Sequence, residues 1–196
     1  MCTYGPPVRV LIVPGLHDSG PEHWQTRLQR HHRHSVRVSQ RDWTRADLPA
    51  WAEQIGATLA QHPNAAWVVV AHSFGCLALV RALACGALGV HAAVLVAPAD
   101  PAKFDVHALL PAAALPVAAT LVASRTDPWM PFDRAVRWAA QWGAPLVDAG
   151  DAGHINVQSG HGPWPLGRSI VERQIQRLNR ARHLAEADAR SLSYAV

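Results

Sequence analysis

Ala71-His72-Ser73-Phe74-Gly75 sets a serine between an apolar run, Trp67–Ala71, and an apolar helical stretch, Phe74–Cys85. That is the strand–turn–helix setting of the G-x-S-x-G nucleophile elbow. The sharp turn carries the hydroxyl clear of the strand. Small residues two before and two after the serine let the strand and helix backbones approach. Ala71 replaces the first glycine by one methyl group, and Gly75 keeps the second. A serine ahead of a helix can also be a simple N-cap. The flanking strand and helix favour a nucleophile at Ser73.

A serine hydroxyl needs an adjacent base, itself oriented by a third group. In this setting the chain order is serine, then Asp or Glu, then histidine. Of twelve histidines, His91, His107, His154, His161 and His183 follow Ser73. His154, in Asp151-Ala152-Gly153-His154-Ile155-Asn156, follows the last apolar run and is the expected base; His161 is the reserve. Asp127, in Ser124-Arg125-Thr126-Asp127-Pro128, is the expected acid. Asp100 stands equivalently after an earlier run and is second choice. Asp-Pro turn formation is the plain alternative for both.

Acyl transfer also needs backbone N–H groups that meet the developing oxyanion. Phe74, directly after the serine, is one expected donor. Leu16, in the turn Pro14-Gly15-Leu16-His17-Asp18-Ser19-Gly20, is the other. That turn lacks G-x-G-x-x-G and G-K-[ST], which argues against nucleotide binding.

The elements that must position these groups follow from hydrophobic patterning. Six apolar runs read as strands: Val8–Val13, Val36–Ser39, Trp67–Ala71, Ala92–Ala97, Val117–Ala123 and Leu146–Asp148. Most are continuous and not alternating, as in a parallel sheet covered on both faces. Helical spacing spans Pro21–His31, Asp47–Gln61, Phe74–Cys85, Pro131–Trp142 and Pro165–Ala189. The expected fold class is α/β: a three-layer α/β/α sandwich of about six mainly parallel strands, in one domain over residues 1–196. Pro98–Pro116 reads as a loop with a helical turn or as a minimal cap. Residues 190–196 are expected to fray.

Composition narrows the class. Hydrophobic residues make up 49 % and charged residues 16 % of 196, a globular profile. No run is long enough to span a bilayer, and Met1–Val8 has no signal-peptide pattern. Cys2, Cys76 and Cys85 match no metal or redox spacing, so a reducing cytoplasm is expected. The net charge of +4 is spread along the chain, which argues against nucleic acid. Arg173, Arg177, Arg180, Arg182 and Arg190 are assigned to an exposed helix face. His31-His32-Arg33-His34 is assigned to solvated surface and not to a metal. No metal or cofactor is expected, and the oligomeric state is not read.

With these motifs in view, the chain resembles the small serine hydrolases grouped with YdeN and the retinoblastoma-binding protein nine proteins. The resemblance rests on the stretch from Val13 to Trp24, on Gln40-Arg41-Asp42-Trp43, on the elbow through Cys76, on Ser124–Pro128 and on Gly153–Asn156. Ser159-Gly160-His161-Gly162-Pro163-Trp164-Pro165 also fits. The resemblance implies a minimal α/β-hydrolase without a large lid. It implies Ser73 as nucleophile, Asp127 as acid and His154 as base, acting on small esters or amides. Some relatives are discussed as protein-binding factors through L-x-C-x-E; this chain has no such motif.

Eight tryptophans make an aromatic pocket conceivable. His17, Trp24, Trp129, Phe132, His161 and Trp164 are the candidates, with packing as the alternative. Trp43, Trp51, Trp67, Trp138 and Trp142 are assigned to packing outright. The expected activity is a serine hydrolase working through an acyl-enzyme on a small ester or amide. An amidase or peptidase is one alternative, and a non-catalytic protein-binding module on the same fold is the other.

Overall fold

The computed structural model describes residues 8–87 and 89–193. Cys2 and the last three residues of the expected frayed tail lie outside them. Six strands form one sheet: β1 (Val8–Val13), β2 (Ser35–Arg37), β3 (Ala66–His72), β4 (Val90–Val96), β5 (Ala118–Ala123) and β6 (Leu146–Asp148). Their order is β2-β1-β3-β4-β5-β6, and every neighbouring pair is parallel. The helices are α1 (Trp24–His31), α2 (Leu48–Ala60), α3 (Phe74–Ala84), α4 (Phe132–Gln141) and α5 (Pro165–Ser193).

Alternate side chains of each strand enter opposite cores, which is why both strand faces are apolar. Leu11, Val13, Trp67, Val69 and Ala71 pack with α2, α3 and α4, where Trp51, Ile55, Leu77 and Trp138 supply the facing surface. Val10, Ile12, Val68 and Val70 pack with Trp24 and Leu28 of α1 and Ile170 and Val171 of α5. Trp51, Trp67, Trp138 and Trp142 are buried.

Two boundaries differ from expectation. Helix α1 begins at Trp24, three residues after Pro21, because Gly20–His23 first closes a turn (His23 N–H to Gly20 carbonyl, 3.0 Å). The His23 ring then caps the helix, accepting from Gln25 N–H at 3.2 Å. Helix α5 continues through Ser193, four residues past the expected end at Ala189. No glycine or proline follows Gly167 within that helix. Pro98–Pro116 holds two short 3₁₀ turns, Pro101–Lys103 and His107–Leu109.

Since all strands run the same way, the loops after β1, β3, β5 and β6 gather at one edge of the sheet. Strand order reverses between β1 and β3, which opens a crevice at their carboxyl ends. Buried Gln25 bridges that crevice. Its amide donates to the carbonyls of Val13 on β1 and Val70 on β3, both at 3.1 Å, while its Oε1 accepts from Ser19 Oγ at 2.7 Å. One side chain therefore ties the β1 loop to the strand that leads into Ser73.

Candidate active site

Ser73 sits at the tip of the turn between β3 and α3 with φ +54° and ψ −127°. A side-chain-bearing residue at positive φ is strained and must be held by its surroundings. The elbow has no room to relax. A Cβ on Gly75 would lie 2.3 Å from the Pro14 carbonyl oxygen, and one on Gly15 would lie 2.7 Å from Ser73 Cβ. Both glycines are thus required by the approach of the β1 loop to the elbow. The Ser73 side chain makes no capping bond to α3, so simple capping does not account for it.

Ser73 Oγ lies 2.8 Å from His154 Nε2. His154 Nδ1 lies 2.9 Å from both carboxylate oxygens of Asp127. A carboxylate only accepts, so Nδ1 carries the ring proton and Nε2 is left to accept from the serine hydroxyl. The Asp127 and His154 side chains are 2 % and 9 % exposed, which keeps water from competing for this bond. Asp127 Oδ1 also accepts from Trp129 N–H at 2.8 Å.

The reserve residues go elsewhere. Asp100 forms an ion pair with Arg134 and accepts from Ala102 N–H, as a turn-forming aspartate would. His161 Nδ1 meets Ser159 Oγ at 3.1 Å. Among the described residues, neither the Leu16 nor the Phe74 amide donates to another protein group. The neighbouring His17 amide is taken by the Trp43 carbonyl at 2.8 Å.

A cavity of about 940 Å³ opens over Ser73, with Leu16, His17, His23, Phe104, Trp129 and His154 in its wall. Of the expected pocket residues, His17 and Trp129 line it. Trp24, Phe132, His161 and Trp164 do not. Trp24 and Trp164 line a separate 320 Å³ cavity beside α1. The Trp24 indole is buried with its N–H bonded to the Ile155 carbonyl at 2.8 Å, so it is turned away from substrate space. Phe132 lies beneath the Arg125 guanidinium at 5.6 Å.

Sequence reasoning missed Phe104, His23 and His72. Phe104 lies in the Pro98–Pro116 segment and stacks nearly parallel to Trp129, centroids 6.4 Å apart at 14°. It also packs on Phe74 at 5.0 Å. An aromatic wall therefore runs from the residue after Ser73 outward to exposed Trp129. Nothing in the local sequence around Phe104 signals this. His72 adjoins the nucleophile in sequence, which was the available clue.

Two buried histidines beside the site, His23 and His72, are held neutral. Burial, with Arg37 nearby, lowers His23 to about 4. Burial pushes His72 well below the usual histidine value, with His154 and His23 adding to the effect. Among the described residues no cluster of three or more His, Cys, Asp or Glu could hold a metal ion, the His31–His34 stretch included. No described helix is long and apolar enough to cross a membrane. Arg173, Arg177 and Arg180 are exposed on α5.

Comparison with known proteins identifies the family. The serine hydrolase family profile matches residues 10–173. A YdeN-like hydrolase from Pectobacterium atrosepticum is 38% identical, with a TM-score of 0.84, covering 88% of this chain and 92% of that one. The ydeN gene product of B. subtilis is 19% identical, TM-score 0.67, over 86% and 97% of the two chains. The esterase domain of a Rhodothermus marinus protein is 14% identical, TM-score 0.60, over 89% of each chain, a likeness of fold alone. No match to a curated protein was found.

Proposed function

Because the chain belongs to the serine hydrolase family, we propose that Ser73, His154 and Asp127 form a catalytic triad cleaving small esters or amides through an acyl-enzyme. The observation that carries the reading is the unbroken hydrogen-bond chain from Ser73 Oγ through both ring nitrogens of His154 to Asp127. The hydroxyl proton passes to His154 Nε2 as Oγ bonds to the substrate carbonyl carbon. The tetrahedral oxyanion takes the free amides of Leu16 and Phe74. Collapse breaks the carbonyl–leaving-group bond, and the leaving group takes the proton from Nε2. Water then gives its proton to Nε2 and adds to the acyl carbon. Collapse of that second adduct returns the proton to Ser73 Oγ and releases the acid. Asp127 holds the tautomer and stabilises the imidazolium without becoming protonated.

The substrate is a small molecule with an apolar portion, on the support of the Phe74–Phe104–Trp129 wall. No step requires nucleic acid or a membrane. Cytoplasmic location is supported by the Cys76 and Cys85 thiols, which are free among the described residues.

The test pairs fluorophosphonate labelling with hydrolysis of matched p-nitrophenyl ester and p-nitroanilide acyl substrates. Wild type is expected to label and Ser73→Ala to resist. Turnover in the variant should fall by at least about 10³-fold. Ester and anilide rates together set which bond is preferred. Equal labelling of both proteins, or none of folded wild type, overturns the assignment.

A further inference from the structure

The loop that carries His154 is suspended from two sides. On its N-terminal side it hangs from the loop that carries Asp127: Ala152 N–H donates to Ser124 Oγ at 2.9 Å, and Gly153 N–H to Thr126 Oγ1 at 3.1 Å. On its C-terminal side two consecutive carbonyls are pinned by side chains from elsewhere. His72 Nε2 lies 2.9 Å from the His154 carbonyl oxygen, and Trp24 Nε1 donates to the Ile155 carbonyl at 2.8 Å. His72 is the last residue of β3, directly before Ser73. Trp24 opens α1, directly after the β1 loop that carries Leu16.

We propose that His72 and Trp24 are positioning residues that fix the His154 ring at bonding height over Ser73, separately from its attachment to Asp127. This rests on the assignment of Ser73 and His154 as nucleophile and base. The His154 carbonyl can only accept, so His72 carries its proton on Nε2 and donates. Burial keeps that ring neutral, so no second charge opposes His154 when it takes up a proton. The groups facing His72 are His154, His23 and Trp24; its ring centroid lies 4.9, 5.0 and 5.9 Å from theirs.

The pinned turn requires such restraint. Ile155 is fully buried yet has φ +46°, and Gly153 has φ +56° with Ser159 Cβ 2.6 Å from where a Cβ would stand. A buried branched residue in the left-handed region persists only when its neighbours over-determine it. Releasing the two carbonyls lets this turn relax. His154 would remain with Asp127, through Ala152 and Gly153, but lose its register with Ser73.

The experiment uses four full-length proteins besides wild type: His72→Phe, His72→Gln, Trp24→Phe and Ser73→Ala. Phenylalanine keeps the ring and removes the donor; glutamine offers an N–H at the same reach. His72→Phe is expected to slow fluorophosphonate labelling and kcat by about 10- to 100-fold, the cost of a misplaced reacting group. KM should stay within about two-fold of wild type, since phenylalanine keeps a ring at this buried position of the cavity wall. His72→Gln should return to within about three-fold of wild type, and Trp24→Phe should fall about three- to ten-fold. The downfield Nδ1–H resonance of His154 should survive in every variant, marking an intact bond to Asp127. Wild-type rates in both His72→Phe and Trp24→Phe overturn the proposal. So does a slow His72→Phe that glutamine does not rescue and whose downfield resonance is gone, for that is general loop collapse. Failure of the triad assignment looks different: Ser73→Ala labels like wild type, or wild type does not label.

Discussion

Asp127 and Asp100 each precede a proline at the end of a strand, yet their carboxylates serve different partners. Asp127 is 2 % exposed and gives both oxygens to His154 Nδ1. Asp100 is as buried but is bound to Arg134 and to its own turn. Asp127→Asn keeps the shape and removes the charge that favours the imidazolium. It can also turn its amide toward Nδ1 and impose the wrong tautomer. kcat for a p-nitrophenyl ester should fall about 10³- to 10⁴-fold. Asp100→Asn should leave kcat within a few-fold and lower the unfolding midpoint, because it leaves Arg134 without its carboxylate. Reversal of the two effects in parallel kinetics and urea titrations would mean that the acid has been misplaced. The three residues were legible because a motif fixes the serine and chain order constrains its partners. Trp24 was legible only as an aromatic. Its bond to the Ile155 carbonyl joins positions 131 residues apart, and no local pattern encodes such a meeting.

Among the elements, the β1 loop and the α3 N-terminus approach each other backbone to backbone. The Pro14 carbonyl oxygen lies where a Cβ on Gly75 would need to be, at 2.3 Å, and the Val13 oxygen is at 2.7 Å. Both obstacles are backbone and cannot swing aside. Gly75→Ala must therefore lift α3 from the loop that carries Leu16, moving both proposed oxyanion donors at once. We expect a loss of about 2 kcal/mol or more in unfolding free energy and fluorophosphonate labelling too slow to measure. Gly56 is the contrast within α2: nothing lies within 4 Å of its added Cβ, and its backbone is helical. Gly56→Ala should stabilise by about 0.5–1 kcal/mol with unchanged activity. A destabilised Gly56→Ala in urea unfolding would show that α2 packs more tightly than its surroundings indicate. Apolar periodicity found each of the five helices, while their ends were set by features it does not contain. α1 starts late because His23 supplies its cap, and α5 ends late because nothing after Gly167 breaks it.

At the scale of the molecule, two apolar cores sandwich one parallel sheet, and the continuous apolar runs announced both. Strand order was not legible, because a run of valines carries no address for its neighbour. The consequence of that order is the crevice between β1 and β3, and polar side chains are packed under its mouth. His23 is 6 % exposed and His72 5 %. Such groups link stability to pH. The His23 ring is ringed by Arg37, His154, Asp18 and His161, and its folded-state value is about 4 against 6.5 unfolded. Between these values the unfolded chain binds the proton and the folded chain does not, so stability rises with pH through the window. It is complete above about 6.5 and lost as pH falls toward 4, an amount on the order of 3 kcal/mol for His23 alone. His72, held well below the usual histidine value by burial, acts in the same direction. The carboxylates of exposed Asp148 and half-buried Glu172, both held low by neighbours, weaken folding only below their own ordinary range. Urea midpoints should therefore fall steadily from pH 7 to pH 4, before the carboxylates contribute most. His23→Asn keeps an N-cap for α1 and removes the titration, so its midpoint should fall less steeply across the same range. A wild-type midpoint that stays level between pH 6.5 and 4 would mean that both rings take up protons in the folded protein as readily as in the unfolded chain. The His72 bond to the His154 carbonyl would survive that change, since an imidazolium also donates from Nε2, but a second cation would then face His154 as pH falls.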